Sequence, residues 1–170
     1  MRKRWWLAVF AAFALVGVLM TGPSRAGDDA AGEVAAVRAA VDQWFVVLNA
    51  MVAGDPAPFA SFFSHADDVL YMSGEGTFRV GWDATWADWQ EQAKKSLGGH
   101  VVGDDIHIIV SGDLATVGLV AHAAVKAPDS TTRELRVRQT HVFRKEDGVW
   151  KMIVHHADNI PVWNTIVDGK

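Results

Sequence analysis

The chain has no cysteine among its 170 residues, which excludes a disulfide framework, a lipid-anchoring cysteine and a thiol nucleophile together. Other motifs are missing too. There is no Gly-x-Ser-x-Gly elbow to present a serine, no glycine-rich loop to cradle phosphate, and no His-Glu-x-x-His pair to hold zinc. Seven histidines still invite a metal. Yet the adjacent His155 and His156 point to opposite faces of one strand, and His100, Asp104, Asp105 and His107 fall near a loop, where they read as solvated. No metal and no cofactor are expected.

What is present begins with a leader. Arg2-Lys3-Arg4 precede a 16-residue apolar run, Trp5 to Met20, followed by Thr-Gly-Pro-Ser24-Arg-Ala26. A basic start, a short apolar core and small residues at Ser24 and Ala26 are the parts of a secretory signal peptide, with cleavage after Ala26. A membrane anchor would want about 20 apolar residues. The leader is not of the twin-arginine kind, because Lys3 separates Arg2 from Arg4. These features predict a periplasmic or secreted protein without stable membrane insertion after cleavage, its single domain running over 27–170. Loss of Arg2, Lys3, Arg4 and Arg25, with no acidic residue among them, takes the formal net charge from −4 to −8. Nucleic acid is then not an expected partner, since a phosphate backbone needs a basic stripe that displaces its counterions. The basic cluster left, Arg133, Arg136, Arg138, Arg144 and Lys145, reads as a solvated or dimer-facing sheet surface.

Asp28 to Ala53 places Val34, Val37, Val41, Trp44, Phe45, Leu48, Met51 and Val52 at spacings of three and four, the apolar face of a helix. Gly54-Asp55-Pro56 ends it, and Ala57 to Phe63 predicts a second, short helix. Asp68 to Ser73 reads as a strand, Gly74-Glu-Gly76 as a turn and Phe78-Arg-Val80 as a brief return. Asp83 is placed to cap a third helix that runs to Leu97, and Gly98-Gly99 to stop it. Strand-like runs follow at Val101 to Val110, Leu114 to Lys126, Glu134 to Lys145 and Val149 to Asp158. The economical fold class is one α+β domain with an antiparallel sheet wrapped around the helices.

The last two runs form a hairpin about Asp147-Gly148, whose residues tolerate the positive φ of a type I′ turn. Regular pairing from that turn sets Lys145 against Trp150, Phe143 against Met152, His141 against Val154 and Gln139 against His156, all on one face. Arg136, Arg138, Thr140, Arg144, Lys151 and His155 take the other. One face is apolar with a few polar groups, as in a sheet curved around a pocket. Trp82, Trp86 and Trp89 form a stripe on the third helix, Trp44 lies on the first, and Ala121 leaves room opposite if Val117, Leu119 and Ala123 also point inward. His122 then points outward. The stripe serves as plain core or as the wall of a pocket for a flat apolar ligand.

The order of elements, Gly54-Asp55 after the first helix, the strand Ala66-Asp-Asp-Val-Leu-Tyr-Met-Ser-Gly-Glu-Gly76, Gly81 and the hairpin Val142 to His156 together resemble the nuclear-transport-factor-2-like superfamily. Within it the chain is similar to SnoaL-like domains and to the association domain of calcium/calmodulin-dependent kinase II. The resemblance covers the whole mature chain. It implies a cone-shaped, strongly bent mixed or antiparallel sheet of cystatin-like form around about three helices, a deep pocket and a homodimer through the convex sheet. It names no reaction, since members include isomerases, dehydratases, cyclases, binding proteins and oligomerisation hubs. The carboxylate base and helix tyrosine of ketosteroid isomerases have no counterpart: Tyr71-Met72-Ser73 occupy the strand position, and the first helix has no tyrosine. The kinase association domain's pocket arginines correspond to His141 and to about Ala121, which implies an inward His141 and a weaker anion site.

The residues expected inside are Tyr71, Gln139, His141, His156 and Asp158, walled by Trp44, Trp86, Trp89, Ala121 and Met152. The expected function is binding of a small hydrophobic or aromatic molecule. One alternative is a cofactor-free lyase or isomerase using His141, His156 and Tyr71, since a histidine exchanges a proton near neutral pH. Another is a dimerisation module whose pocket has no ligand.

Overall fold

The computed structural model describes residues 26–126 and 131–160; the expected signal peptide and its cleavage site lie outside these or at their edge. The elements are helix α1 (Ala26–Val52), helix α2 (Ala57–Phe62), strands β1 (Leu70–Met72) and β2 (Phe78–Val80), helix α3 (Trp82–Lys94), and strands β3 (His100–Ser111), β4 (Leu114–Lys126), β5 (Thr132–Glu146) and β6 (Val149–Asn159). Six strands make one unclosed sheet in the order β2-β1-β6-β5-β4-β3. The β1–β6 pair is parallel, and the rest are antiparallel. This is a mixed α+β fold whose bent sheet carries the helices on its inner face.

α1 buries Val37, Val41, Trp44, Val47 and Leu48 while Val46, on its far side, is 61% exposed. Asp29–Val52 is long and apolar enough to cross a membrane by composition, but here its apolar face is in the core. Asn49 ties α1 to the edge strand β3: its amide donates to the Val101 carbonyl at 2.8 Å and its carbonyl accepts from the Val101 N–H at 2.8 Å. One side chain thus replaces a missing strand partner. Beside it, Gly103 lets the strand approach closely, because a Cβ there would meet the Phe45 ring at 2.4 Å. At the tip of the β5–β6 hairpin, Glu33 accepts from Lys145 and from the Trp150 indole, the latter at 3.2 Å.

Two sequence expectations need correction at the ends of α3, which stops at Lys94 rather than running to Leu97. α3 begins at Trp82 with Gly81 in the capping position, so Asp83 lies in the first turn without a side-chain cap bond. Its negative charge there still favours the helix dipole.

The larger correction concerns register. The hairpin turns at Asp147 and Gly148, both with positive φ, and pairs Lys145 with Trp150 and Phe143 with Met152 as expected. A β-bulge then intervenes: Val142 pairs with Val154, which leaves Ile153 as an extra residue on β6. Every later β6 side chain changes face. His155 is therefore buried beside His141, and His156 is exposed opposite Thr140. Asp158 is also turned outward, where it binds Arg138 across the strand pair. The basic side chains of the hairpin are largely matched by acids, with Arg144 held by Asp68 at 2.7 Å and by Glu146 at 2.9 Å.

Candidate functional site

The bulge has a chemical result, because it sets three polar side chains in one row across the sheet. Tyr71 of β1 pairs with His155 of β6, which pairs with His141 of β5, which pairs with Val117 of β4. All three polar residues are buried. The Tyr71 ring stacks on the His155 imidazole with centroids 5.6 Å apart, and the two imidazoles lie 5.2 Å apart.

Trp44 closes the row from α1. Its ring is 5.0 Å from His141 and 4.8 Å from His155, and its indole N–H donates to Gln139 Oε1 at 3.1 Å. Trp89 approaches from α3, 4.7 Å from Tyr71 and 5.7 Å from His155, and stacks on Phe59 at 4.3 Å. Gln139, Trp44, Trp89 and Tyr71 are thus brought together around the two imidazoles. Trp86 stacks instead on Trp82 at 5.4 Å, which in turn stacks on His65 at 4.4 Å. Met152 is buried and its backbone bridges to that of Phe63, and Ala121 lies four residues along β4 from Val117, so both belong to the surrounding core.

Both ring nitrogens of His141, Nδ1 of His155 and the indole N–H of Trp89 are buried without a hydrogen-bond partner. Such groups cost about 1–3 kcal/mol each when left unsatisfied, so a core selected only for stability would not keep several side by side. Burial, and then the charge of the other imidazole, holds His141 well below the ordinary histidine value. Burial, and then His156, pulls His155 down to about 3. Tyr71 is pushed up, first by burial and then by the negative charges of Asp88 and Glu75, while Ser73 beside its hydroxyl works the other way. At neutral pH the row is therefore uncharged: two imidazoles, each with one N–H and one lone pair, and a phenol. It can donate and accept hydrogen bonds, and it is a weak base.

Two surface cavities accompany this interior. One of about 470 Å³ lies between α1, α2 and the hairpin tip, with Ala40, Val47, Phe62 and Trp150 in its wall. The other, about 300 Å³, lies over β3, β4 and β5 at His100, His122 and Arg136. Neither is lined by His141, His155, Trp44 or Trp89. No group of three or more histidine and acidic side chains among the described residues has the geometry of a metal site.

Sequence reasoning missed His155, whose signal was present: Met152-Ile-Val154 is a run of three apolar residues that no strict alternation fits. It also missed Thr85 and Asp88 on α3, which carry further buried atoms without partners.

Residues 37–162 match the family model described as a SnoaL-like domain. No curated protein matches the chain. Among solved structures, one from Xanthomonas campestris, provisionally named a calcium/calmodulin-dependent protein kinase II association domain, is 23% identical with a TM-score of 0.59, over 76% of this chain and 86% of that one. A provisionally named dehydratase of the NTF2-like family from Streptomyces avermitilis is 20% identical with a TM-score of 0.66, over 76% of this chain and 98% of its own. A provisionally named scytalone dehydratase from Novosphingobium aromaticivorans is 18% identical with a TM-score of 0.66, over 78% and 87%. At these identities the structures speak to fold alone. The sheet order, the inward row and the family match converge, and the chain belongs to the SnoaL-like family, with the nuclear-transport-factor-2-like fold.

Proposed function

We propose that this protein is an exported binding domain for a small, uncharged aromatic or hydrophobic molecule, held in the helix–sheet interior at Tyr71, His155 and His141. The observation that carries the reading is the imidazole pair, buried, uncharged and without partners for three of its nitrogens. A neutral donor–acceptor row inside an aromatic shell suits a guest with a polar group on an apolar body. A carboxylate or ammonium would find no buried counter-charge in the row and would lose its hydration there. Trp44, Phe59 and Trp89 now pack ring to ring, so the guest enters by displacing rings, and its affinity carries that cost.

The lyase or isomerase reading draws on two similar structures that carry dehydratase names. Proton removal by His141 or His155 is poorly supported, since a depressed pKa makes each a weak base at neutral pH. His156, exposed on the outer face, has no part in the interior. Export rests on the basic and apolar leader, Arg2 to Met20.

A second copy is the partner that suits the outer sheet face. One row of side chains there runs Val80, Leu70, Val154, Val142, Thr116, Ile109 across all six strands, with Val80 54% and Ile109 70% exposed. An apolar row of that length on one face is a surface that self-association covers.

The binding reading is tested by native mass spectrometry of the protein taken from its own source, beside a denatured spectrum of the same sample. Extra mass that leaves on denaturation supports it and reports the ligand class. An unmodified mass in both spectra, with no small neutral aromatic compound shifting the melting temperature, overturns it.

A further inference from the structure

The inner side of α3 holds a second set of polar atoms that the imidazole row does not use. Thr85 and Asp88 are three residues apart and Thr85 and Trp89 four, so all three stand on neighbouring turns of one helix face. Thr85 Oγ1, Asp88 Oδ2 and Trp89 Nε1 are each buried without a hydrogen-bond partner, and Thr85 and Trp89 are 0% and 3% exposed. The other Asp88 oxygen, Oδ1, is held by Arg79 of β2 at 3.1 Å. Tyr71 connects the two sets: its ring lies between His155 and Trp89, and its hydroxyl feels the Asp88 charge. Asp88 also differs from the others in being 12% exposed at its side chain, which puts this end of the interior nearest to solvent.

The needs of these atoms narrow the guest. Asp88 Oδ2 accepts only, so it requires a donor. Arg79 already balances the carboxylate, so an ammonium gains little there and a hydroxyl suffices. Trp89 Nε1 donates only, so it requires an acceptor, and a hydroxyl can serve as either partner. We propose that Asp88, Thr85 and Trp89 form the hydroxyl-reading end of the site, and that the ligand class is an uncharged phenol or aromatic alcohol. This rests on the binding reading above and specifies the end of the ligand that the imidazole row leaves open.

The test is isothermal titration calorimetry with three probes of one shape, p-cresol, toluene and 4-methylbenzoate, on the full mature chain. The expected order is p-cresol at least about tenfold tighter than toluene, with 4-methylbenzoate weakest, because a hydrogen bond to a charged acceptor is worth that much or more. Asp88→Leu should bring p-cresol down to the affinity of toluene while toluene itself still binds. Asp88→Asn, which keeps an acceptor oxygen, should retain part of the preference, and equal melting temperatures show that both variants fold. An unchanged p-cresol preference in Asp88→Leu overturns the assignment of Asp88 while leaving the interior site standing. Toluene and p-cresol binding equally to the unaltered protein does the same. No binding by any of the three removes the interior site and this inference with it.

Discussion

At the scale of single residues, the unusual feature is two histidines buried among aromatic rings with ring nitrogens left unpaired. An isosteric apolar side chain at His141 would remove two unsatisfied nitrogens from the core. His141→Leu should therefore raise the unfolding free energy by about 1–3 kcal/mol in urea titrations while abolishing ligand binding. A loss of stability would instead mean that the imidazole is satisfied and structural. The histidines also set an acid dependence. The unfolded chain takes up protons near the ordinary value of about 6.5, whereas folded His155 holds out to about 3 and folded His141 is likewise depressed. The unfolded state binds more protons in that window, so stability is full above about pH 6.5 and falls as the pH drops toward 3, by up to about 1.4 kcal/mol per pH unit for each imidazole. Glu33 and Asp68, held low by hydrogen bonds from Lys145 and Arg144, add their loss only below the ordinary carboxylate range. Urea midpoints measured from neutral to mildly acid pH check this, and the slope should flatten in His141→Leu.

At the scale of elements, the edge strand β3 pairs with β4 on one side and is tied to α1 by one side chain and one close approach. Asn49→Ala removes both bonds to Val101 and should cost about 1–3 kcal/mol. Gly103→Ala drives a Cβ into the Phe45 ring and should cost about 1–3 kcal/mol, relieved in the double variant with Phe45→Leu. Elements were the part of this molecule most legible in the sequence. The α1 stripe from Val37 to Val52, the Asp147-Gly148 turn and the inward Gln139, His141 and Phe143 follow from period and turn chemistry, and each lies where that reading placed it, whereas Val34, read as the start of the stripe, is 41% exposed. The bulge at Ile153 did not follow, because periodicity fixes faces only while the alternation is unbroken. One extra residue exchanged His156 for His155 and turned Asp158 outward. Asp88 and Thr85 were hidden for another reason: polar residues on a helix beside three tryptophans read as its wet side until the packing is known.

At the scale of the whole molecule, the two faces of the sheet differ in character. Its inner face carries the polar row, and its outer face carries the apolar row from Val80 to Ile109. Val154→Asp, at the middle of the outer row, should convert a dimer to a monomer in sedimentation equilibrium and leave ligand affinity within about twofold, since Val154 faces away from the imidazoles. A monomer in the unaltered protein would assign that face to another partner or to none.

The proposed role of His141 and His155 is that of an uncharged pair that reads a ligand. Its most direct test is the side-chain nitrogen spectrum of the nitrogen-15-labelled protein, followed from about pH 7.5 to about pH 4.5 with and without p-cresol. Two imidazoles should stay neutral throughout, with nitrogen shifts that move when p-cresol is added, while those of exposed His156 do not respond to it. Titration of His141 and His155 near 6.5, with shifts indifferent to p-cresol, would contradict it.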